Sequence, residues 1–123
     1  MAVPYSKILV MILSLGLVEW LTMARIIRGQ VRYRLYAMAN STPPKPALVH
    51  VGEGGGAIEV EVYELDEAAF GSFTVEVPAP LAIGTVTLED GSQVKGFVAE
   101  PRALDGAEDI THLGGWRAYV AGL

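Results

Sequence analysis

Glycine and proline interrupt this chain along most of its length, with fourteen glycines and seven prolines among 123 residues. Glycine supplies the backbone conformations that tight turns need, while proline fixes φ and withholds a hydrogen-bond donor. A chain punctuated this way is expected to fold as many short strands joined by turns. The densest case is NSTPPKPALVHV, residues 40–51, where Pro43, Pro44 and Pro46 bracket Lys45. Such a segment fits neither a helix nor a central strand. The prolines also push the residues before them towards extended backbone, so Lys45 is presented with little freedom to lose on binding.

At this length the chain is one domain, 1–123, able to bury a core without metal or disulfide staples. Apolar residues make up 51% and charged residues 19%, the balance of a globular protein. Cysteine is absent, which removes disulfide frameworks, zinc knuckles and thiol nucleophiles together. The net charge of −5 is unevenly divided: residues 1–50 carry six basic and one acidic side chain, residues 51–123 three basic and thirteen acidic. A basic half can mark a nucleic-acid or membrane surface. No aromatic-interleaved basic stripe and no groove-reading helix accompanies it, so neither partner is expected. Basic and acidic strands lying side by side account for the asymmetry.

Residues 8–18, ILVMILSLGLV, form an apolar run too short to cross a bilayer. With Lys7 before it and Thr22 and Ala24 after it, residues 1–24 also fit a signal peptide. A buried first strand running into a helix is the preferred reading, and the protein is then cytoplasmic. The helix is expected over LVEWLTMARIIRG, with Leu17, Val18, Leu21, Ile26 and Ile27 on its apolar side and Gly29 as its stop.

RYRLYAM, residues 32–38, alternates as a strand, with Arg32, Arg34, Tyr36 and Met38 on one face and Tyr33, Leu35 and Ala37 on the other. Glycines 52, 54, 55 and 56 form a hinge before AIEVEVYE, whose Ile58, Val60 and Val62 point inward. Glu59 and Glu61 then point outward and are expected beside Arg32 and Arg34. Asp66 suits the N-cap of a short helix that turns Phe70 and Phe73 to the core. TVTLEDGSQVKGFVAE reads as a hairpin, with Gly91 in the left-handed position of its turn. The register that sets Val86 against Val94 and Thr85 against Lys95 pairs like with like. A short helix around Trp116 closes the chain, with Gly114 and Gly115 admitting close backbone packing. The tally is about six strands and three short helices: an α+β domain on a small, curled, mostly antiparallel sheet.

Little of the usual catalytic chemistry is present. His50 and His112 have no metal-ligand spacing, so no metal and no cofactor is expected. No serine lies in a nucleophile elbow. The run GEGGGA lacks the lysine and following helix of a phosphate loop, and reads as a hinge before an anion cradle. What remains is a set of anion-binding parts: Arg34 and Tyr36 on one strand, Lys45 on its proline-braced loop, and Lys95 beside Thr85. A curled sheet would bring them to one mouth able to hold a small carboxylate.

YRLYAMANSTPPKPALVHV, GGGAIEVEVYEL, FGSF, VPAPLAIGTVTLEDGSQVKGFVAE and DITHLGGWRAYVA together resemble the C-terminal domain of allophanate hydrolases, over about residues 33–121, with 1–32 poorly matched. The resemblance implies a γ-glutamylcyclotransferase-like fold, a small mostly antiparallel β-barrel with short flanking helices. It also implies a place in urea-nitrogen assimilation, where this domain is thought to decarboxylate the N-carboxycarbamate released by an amidase half. The sequence departs from the family at its chemistry. The loop GAHLSG, whose histidine would supply the acid, aligns with Leu13 at that position and Gly16 at its end. The cyclotransferase loop YGSL reads Ile12-Leu13-Ser14-Leu15, keeping Ser14 as a ligand contact and losing the glycine. The cyclotransferase general-base glutamate falls on Val77, with Glu76 one place away.

Three readings follow. The first is a free-standing relative binding a small carboxylate or carbamate through Ser14, Arg34, Tyr36, Lys45, Thr85 and Lys95, and decarboxylating N-carboxycarbamate if active, with an amidase on a partner chain. The second is a catalytically dead assembly or binding module. The third is a cyclotransferase using Glu76 as base. The apolar excess fits a homodimer.

Overall fold

The computed structural model describes residues 8–12, 23–39 and 44–123. Among them are eight strands: β1 (Ile8–Ile12), β2 (Met23–Arg28), β3 (Tyr33–Ala37), β4 (Pro46–His50), β5 (Glu59–Leu65), β6 (Leu81–Thr87), β7 (Gln93–Ala99) and β8 (Glu108–Asp109). Helix α1 (Glu67–Val75) lies between β5 and β6, and α2 (Trp116–Ala121) follows β8. Two 3-10 turns, Pro101–Leu104 and Thr111–Leu113, complete the order.

The strands form two sheets, one ordered β2-β5-β1-β7-β6 and one ordered β4-β3-β8. Every ladder is antiparallel except β1 on β7. β5 has the alternation that a half-buried strand requires, with Val60 and Val62 buried and Glu59 and Glu61 partly exposed between them. β3 alternates likewise, burying Tyr33, Leu35 and Ala37. These two inward faces meet: Tyr33, Leu35 and Leu48 of one sheet pack with Val60, Val62, Val86 and Val94 of the other, together with Ile58, Leu88, Ile110 and Trp116. On the other face of the larger sheet, Phe70 and Phe73 of α1 cover Tyr63 and Leu65, and Phe73 stacks on Phe97 with ring centroids 5.4 Å apart. The helix starts where expected, because Asp66 Oδ1 accepts the Ala69 N–H at 2.7 Å.

The β6–β7 hairpin has the predicted register, Val86 opposite Val94 and Thr85 opposite Lys95, and Gly91 takes φ 88° in its turn. β4 is an edge strand that opens on Pro46, where a missing donor leaves the ladder intact. The helix expected over LVEWLTMARIIRG is not what forms at its described end: Met23–Arg28 is strand β2, paired with β5. Residues 13–22, including Leu13 and Ser14, lie outside the described residues. A second correction concerns charge partners. Glu59 sits opposite Arg28, and its carboxylate pairs with Arg117 at 3.1 Å, while Glu61 sits opposite Ile26. Arg32 and Arg34 belong elsewhere, because β3 is in the other sheet.

The larger sheet curls until its two edges touch. Gly29 bridges Leu88, the Gln30 N–H donates to the Thr87 carbonyl at 3.1 Å, and the Glu89 N–H donates to the Arg28 carbonyl at 2.9 Å. The contact goes no further among the described residues. The expected barrel is therefore an open, curled sheet stitched at one end, with a smaller sheet packed inside its curve.

Candidate functional site

The expected anion-binding residues divide between two surfaces. Arg34 and Tyr36 alternate with the buried Tyr33, Leu35 and Ala37, so they stand on the outer face of the smaller sheet. Lys95 alternates with the buried Val94 on the larger sheet and faces the other way, donating from Nζ to Thr85 Oγ1 at 3.1 Å. The hydrophobic core lies between the two groups, so these side chains do not share one mouth. Glu76 is exposed at the C-terminal end of α1, its backbone N–H bonded to the Phe73 carbonyl.

Arg34 is held by two protein partners. Its Nη1 donates to Asp109 Oδ2 at 2.7 Å and its Nη2 to the Gly54 carbonyl at 2.6 Å. Burial acts to raise the Asp109 carboxyl, but the Thr111 hydroxyl and backbone N–H and the Arg34 guanidinium outweigh it and hold the group below the usual carboxylate range. The glycine loop is occupied as well. The Glu53 and Gly56 N–H groups bond to Val51 and Tyr33 carbonyls, and the Gly52 and Gly54 carbonyls accept from Arg32 and Arg34. A loop whose carbonyls face arginines is a structural clasp, not an anion cradle. On the larger sheet, the Tyr63 hydroxyl donates to Glu61 Oε1 at 2.8 Å. Burial first, then that hydrogen bond and the Glu61 charge, push the phenol up to about 12.

A cleft of about 390 Å³ opens elsewhere, lined by Met38, Ala39, Ala79, Pro80, Arg102, Ala103 and Asp105. Three connections build it: the chain leaving β3, the loop entering β6, and the turn after β7. The Glu100 N–H bonds to the Pro80 carbonyl at 2.8 Å and ties the second to the third. Gly106, at φ 73°, brings the turn against Ala39, in a conformation that L side chains rarely adopt. Lys45 adjoins the first wall, its carbonyl accepting the Met38 N–H at 2.9 Å. The described lining mixes five apolar residues with Arg102 and Asp105, and its surface is about as polar as it is apolar.

Arg102 and Asp105 are the charged groups among the described residues of this lining, and the reading of the sequence passed over both. The available signal was Pro101 opening and Gly106 closing a short turn that carries opposite charges three residues apart. Among the described residues, no group of three or more His, Asp or Glu gathers to hold a metal ion. No helix among them is long and apolar enough to cross a membrane.

Comparison with known proteins gives this architecture its relatives. The family described as "Allophanate hydrolase C-terminal domain" matches residues 19–121, beginning earlier than the resemblance read from the sequence. A urea amidolyase of Lachancea kluyveri is 44% identical over 92 residues, which are 72% of this chain and 5% of that protein. The structure of Kluyveromyces lactis allophanate hydrolase superposes with a TM-score of 0.83 at 34% identity, covering 95% of this chain and 21% of that one. A uropathogenic E. coli-specific protein superposes with a TM-score of 0.84 at 31% identity, covering 97% of this chain and 99% of that one. The domain is thus a small part of long enzymes in yeasts and nearly the whole of the E. coli chain. With a family match across most of its residues and this agreement of fold, the chain belongs to the allophanate hydrolase C-terminal domain family.

Proposed function

We propose that this chain binds a small carboxylate or carbamate in the cleft between Met38, Pro80 and Arg102, and serves urea and allophanate nitrogen metabolism in the cytoplasm. The observation that carries the reading is a cleft with a guanidinium in its wall and the Lys45 backbone bonded to that wall at Met38, on a fold of the allophanate hydrolase C-terminal family. In its enzymatic form the ligand is N-carboxycarbamate, delivered by an amidase on a partner chain. One N–C bond breaks, CO₂ leaves, and the nitrogen takes up a proton. Such a step asks for an anion clamp and a proton donor near the nitrogen.

A second reading is a binding module without turnover. It is favoured by the composition of the described lining, which holds no histidine, and by the exposure of Glu76 at a helix end. The open end of the larger sheet leaves the γ-glutamylcyclotransferase-like barrel as an inference from kinship. The deciding experiment measures CO₂ release from N-carboxycarbamate generated in situ by a separate amidase, comparing wild type with Lys45→Ala and Arg102→Gln. Release above the uncatalysed rate that falls in both variants supports the enzyme. Release at the uncatalysed rate removes the decarboxylase and leaves the binding module.

A further inference from the structure

A sheet edge is a row of unpaired N–H and C=O groups, and folded proteins blunt it with charge, proline, a bulge or brevity. Among the described residues, every edge but one is blunted in this way. β2 is broken by a bulge between Met23 and Arg25 and ends on Arg28, β4 opens on Pro46, and β8 has two residues, both acidic. β6 has none of these devices. Its seven residues, LAIGTVT, carry no charge and no proline, and they pair with β7 in one unbroken register. That ladder is bracketed by two bonds of 2.8 Å, from the Glu100 N–H to the Pro80 carbonyl and from the Leu88 N–H to the Ser92 carbonyl. Antiparallel bonding alternates between them, so Ala82, Gly84 and Val86 bond to β7, and Leu81, Ile83, Thr85 and Thr87 turn their backbone groups outward. The ends of this outward row are occupied. Thr87 donates to the Tyr33 hydroxyl and accepts from Gln30, and the Leu81 N–H bonds to the Pro78 carbonyl. The middle is open: the Leu81 carbonyl and the N–H and C=O groups of Ile83 and Thr85 have no partner among the described residues. The smaller sheet stops short of this edge, since Ala82 and Gly84 on the core side of β6 are partly exposed while Gly96, beside Gly84 on β7, is buried.

We propose that β6 pairs with β6 of a second copy of this chain, antiparallel about a two-fold axis at Ile83, joining the two larger sheets into one. In this register the Ile83 N–H of each copy donates to the Ile83 carbonyl of the other, and each Thr85 N–H donates to the other copy's Leu81 carbonyl. It uses the groups that are free and none that are occupied. On the outer face it sets Ile83 against Ile83 and Leu81 against Thr85, apolar and β-branched pairs of the kind that stabilise sheets. The turn from Pro78 to Leu81 then takes each chain out of the sheet before it meets the other's stitch at Thr87. The occupant is a second copy because the free row is complementary to itself under a two-fold axis. Two chains of net charge −5 can also meet at an uncharged strand without repulsion at the contact. The other edges of a second copy offer a bulge, a proline or acidic residues instead.

The chain has no cysteine, so one introduced thiol reports the contact. In Ile83→Cys the two thiols face each other across the axis at a Cα separation of about 5.5 Å, which a disulfide spans. Mild oxidation of the full chain should then give a covalent dimer, while Gln93→Cys, exposed at the start of β7, should stay monomeric under the same conditions. Sedimentation velocity of the wild type should show a monomer–dimer equilibrium. Thr85→Pro removes one intermolecular donor from each copy and no bond within the ladder, and should weaken that equilibrium about tenfold or more. Thr85→Val keeps the donor and should dimerise as the wild type does. If Thr85→Pro does not fold, as judged by circular dichroism, the crosslink decides alone. The pairing is overturned by a wild type that stays monomeric up to about 1 mM, by a folded Thr85→Pro that dimerises as tightly as wild type, or by thiols at position 83 that join no faster than those at position 93. Each of these results leaves the reading of the cleft standing.

Discussion

Arg34 is gripped from two directions, by a carboxylate on β8 and by a carbonyl of the glycine loop. Its task is to fasten a two-residue strand to β3, and the pair has a defined pH signature. Asp109 titrates below its ordinary value when folded. Its contribution is therefore complete above the unfolded carboxylate range near pH ~3.9, and is lost as pH falls through the lowered folded value. Asp109→Asn is expected to cost up to about 1 kcal/mol at neutral pH, since both side chains are partly exposed. It should also flatten the loss of stability below about pH 4 in urea titrations. Parallel acid limbs in the two proteins would place the titrating group elsewhere. Tyr63 works in the opposite sense. Its phenol is neutral when folded up to about pH 12, so its contribution is present below the unfolded value near pH ~10 and disappears as pH rises between the two. Tyr63→Phe should remove that alkaline loss, and the phenolate absorbance of wild type should show one late-ionising tyrosine that the variant lacks.

At the scale of single elements, local chemistry governs some outcomes and neighbours govern others. The N-cap of α1 is local: Asp66→Ala should cost about 1 kcal/mol in thermal or urea unfolding without altering the cleft at Met38, Pro80 and Arg102. The β6–β7 hairpin was legible for the same reason, since Gly91 and the like-with-like pairing select one register from within a single stretch of chain. β2 was not. Ile26 and Ile27, flanked by Arg25 and Arg28, satisfy a helical pattern as well as an extended one, and the decision comes from pairing with β5, far along the chain. The glycine loop shows a third case. A Cβ on Gly55 would sit 2.5 Å from the Tyr33 nitrogen and 2.7 Å from its oxygen, backbone atoms that cannot step aside. Gly55→Ala is expected to destabilise the protein by about 3 kcal/mol, the upper end for overpacked sites. A negligible change in its unfolding midpoint would mean that the loop lifts away freely.

For the whole molecule, the decisive contact is the one that joins the two edges of the larger sheet. Leu88 is wholly buried and sits at the bridge to Gly29. Leu88→Ala should cost about 2–5 kcal/mol as a cavity in the core. Hydrogen exchange at Gln30 and Glu89 should accelerate more than at β5, because the stitch opens before the centre does. Uniform acceleration would show that the edges and centre open together. Alternating patterns made the inward faces of β3 and β5 readable from sequence, and the division of charge correctly indicated that basic and acidic segments meet, as Arg28 beside Glu59 and Arg34 beside Asp109 do. The convergence of cations at one mouth was not readable, because it depends on which sheet each strand joins. Arg102 and Asp105 escaped notice because a single turn has no periodicity to reveal it.

Every wall of the cleft stands just outside a strand: Met38 and Ala39 after β3, Ala79 and Pro80 before β6, Arg102 to Asp105 after β7. The groups that line the cleft are therefore separable from those that hold the sheets together. Substitution can exchange the chemistry at these corners one residue at a time while the strands stay paired, so the same architecture can present different groups in this cleft.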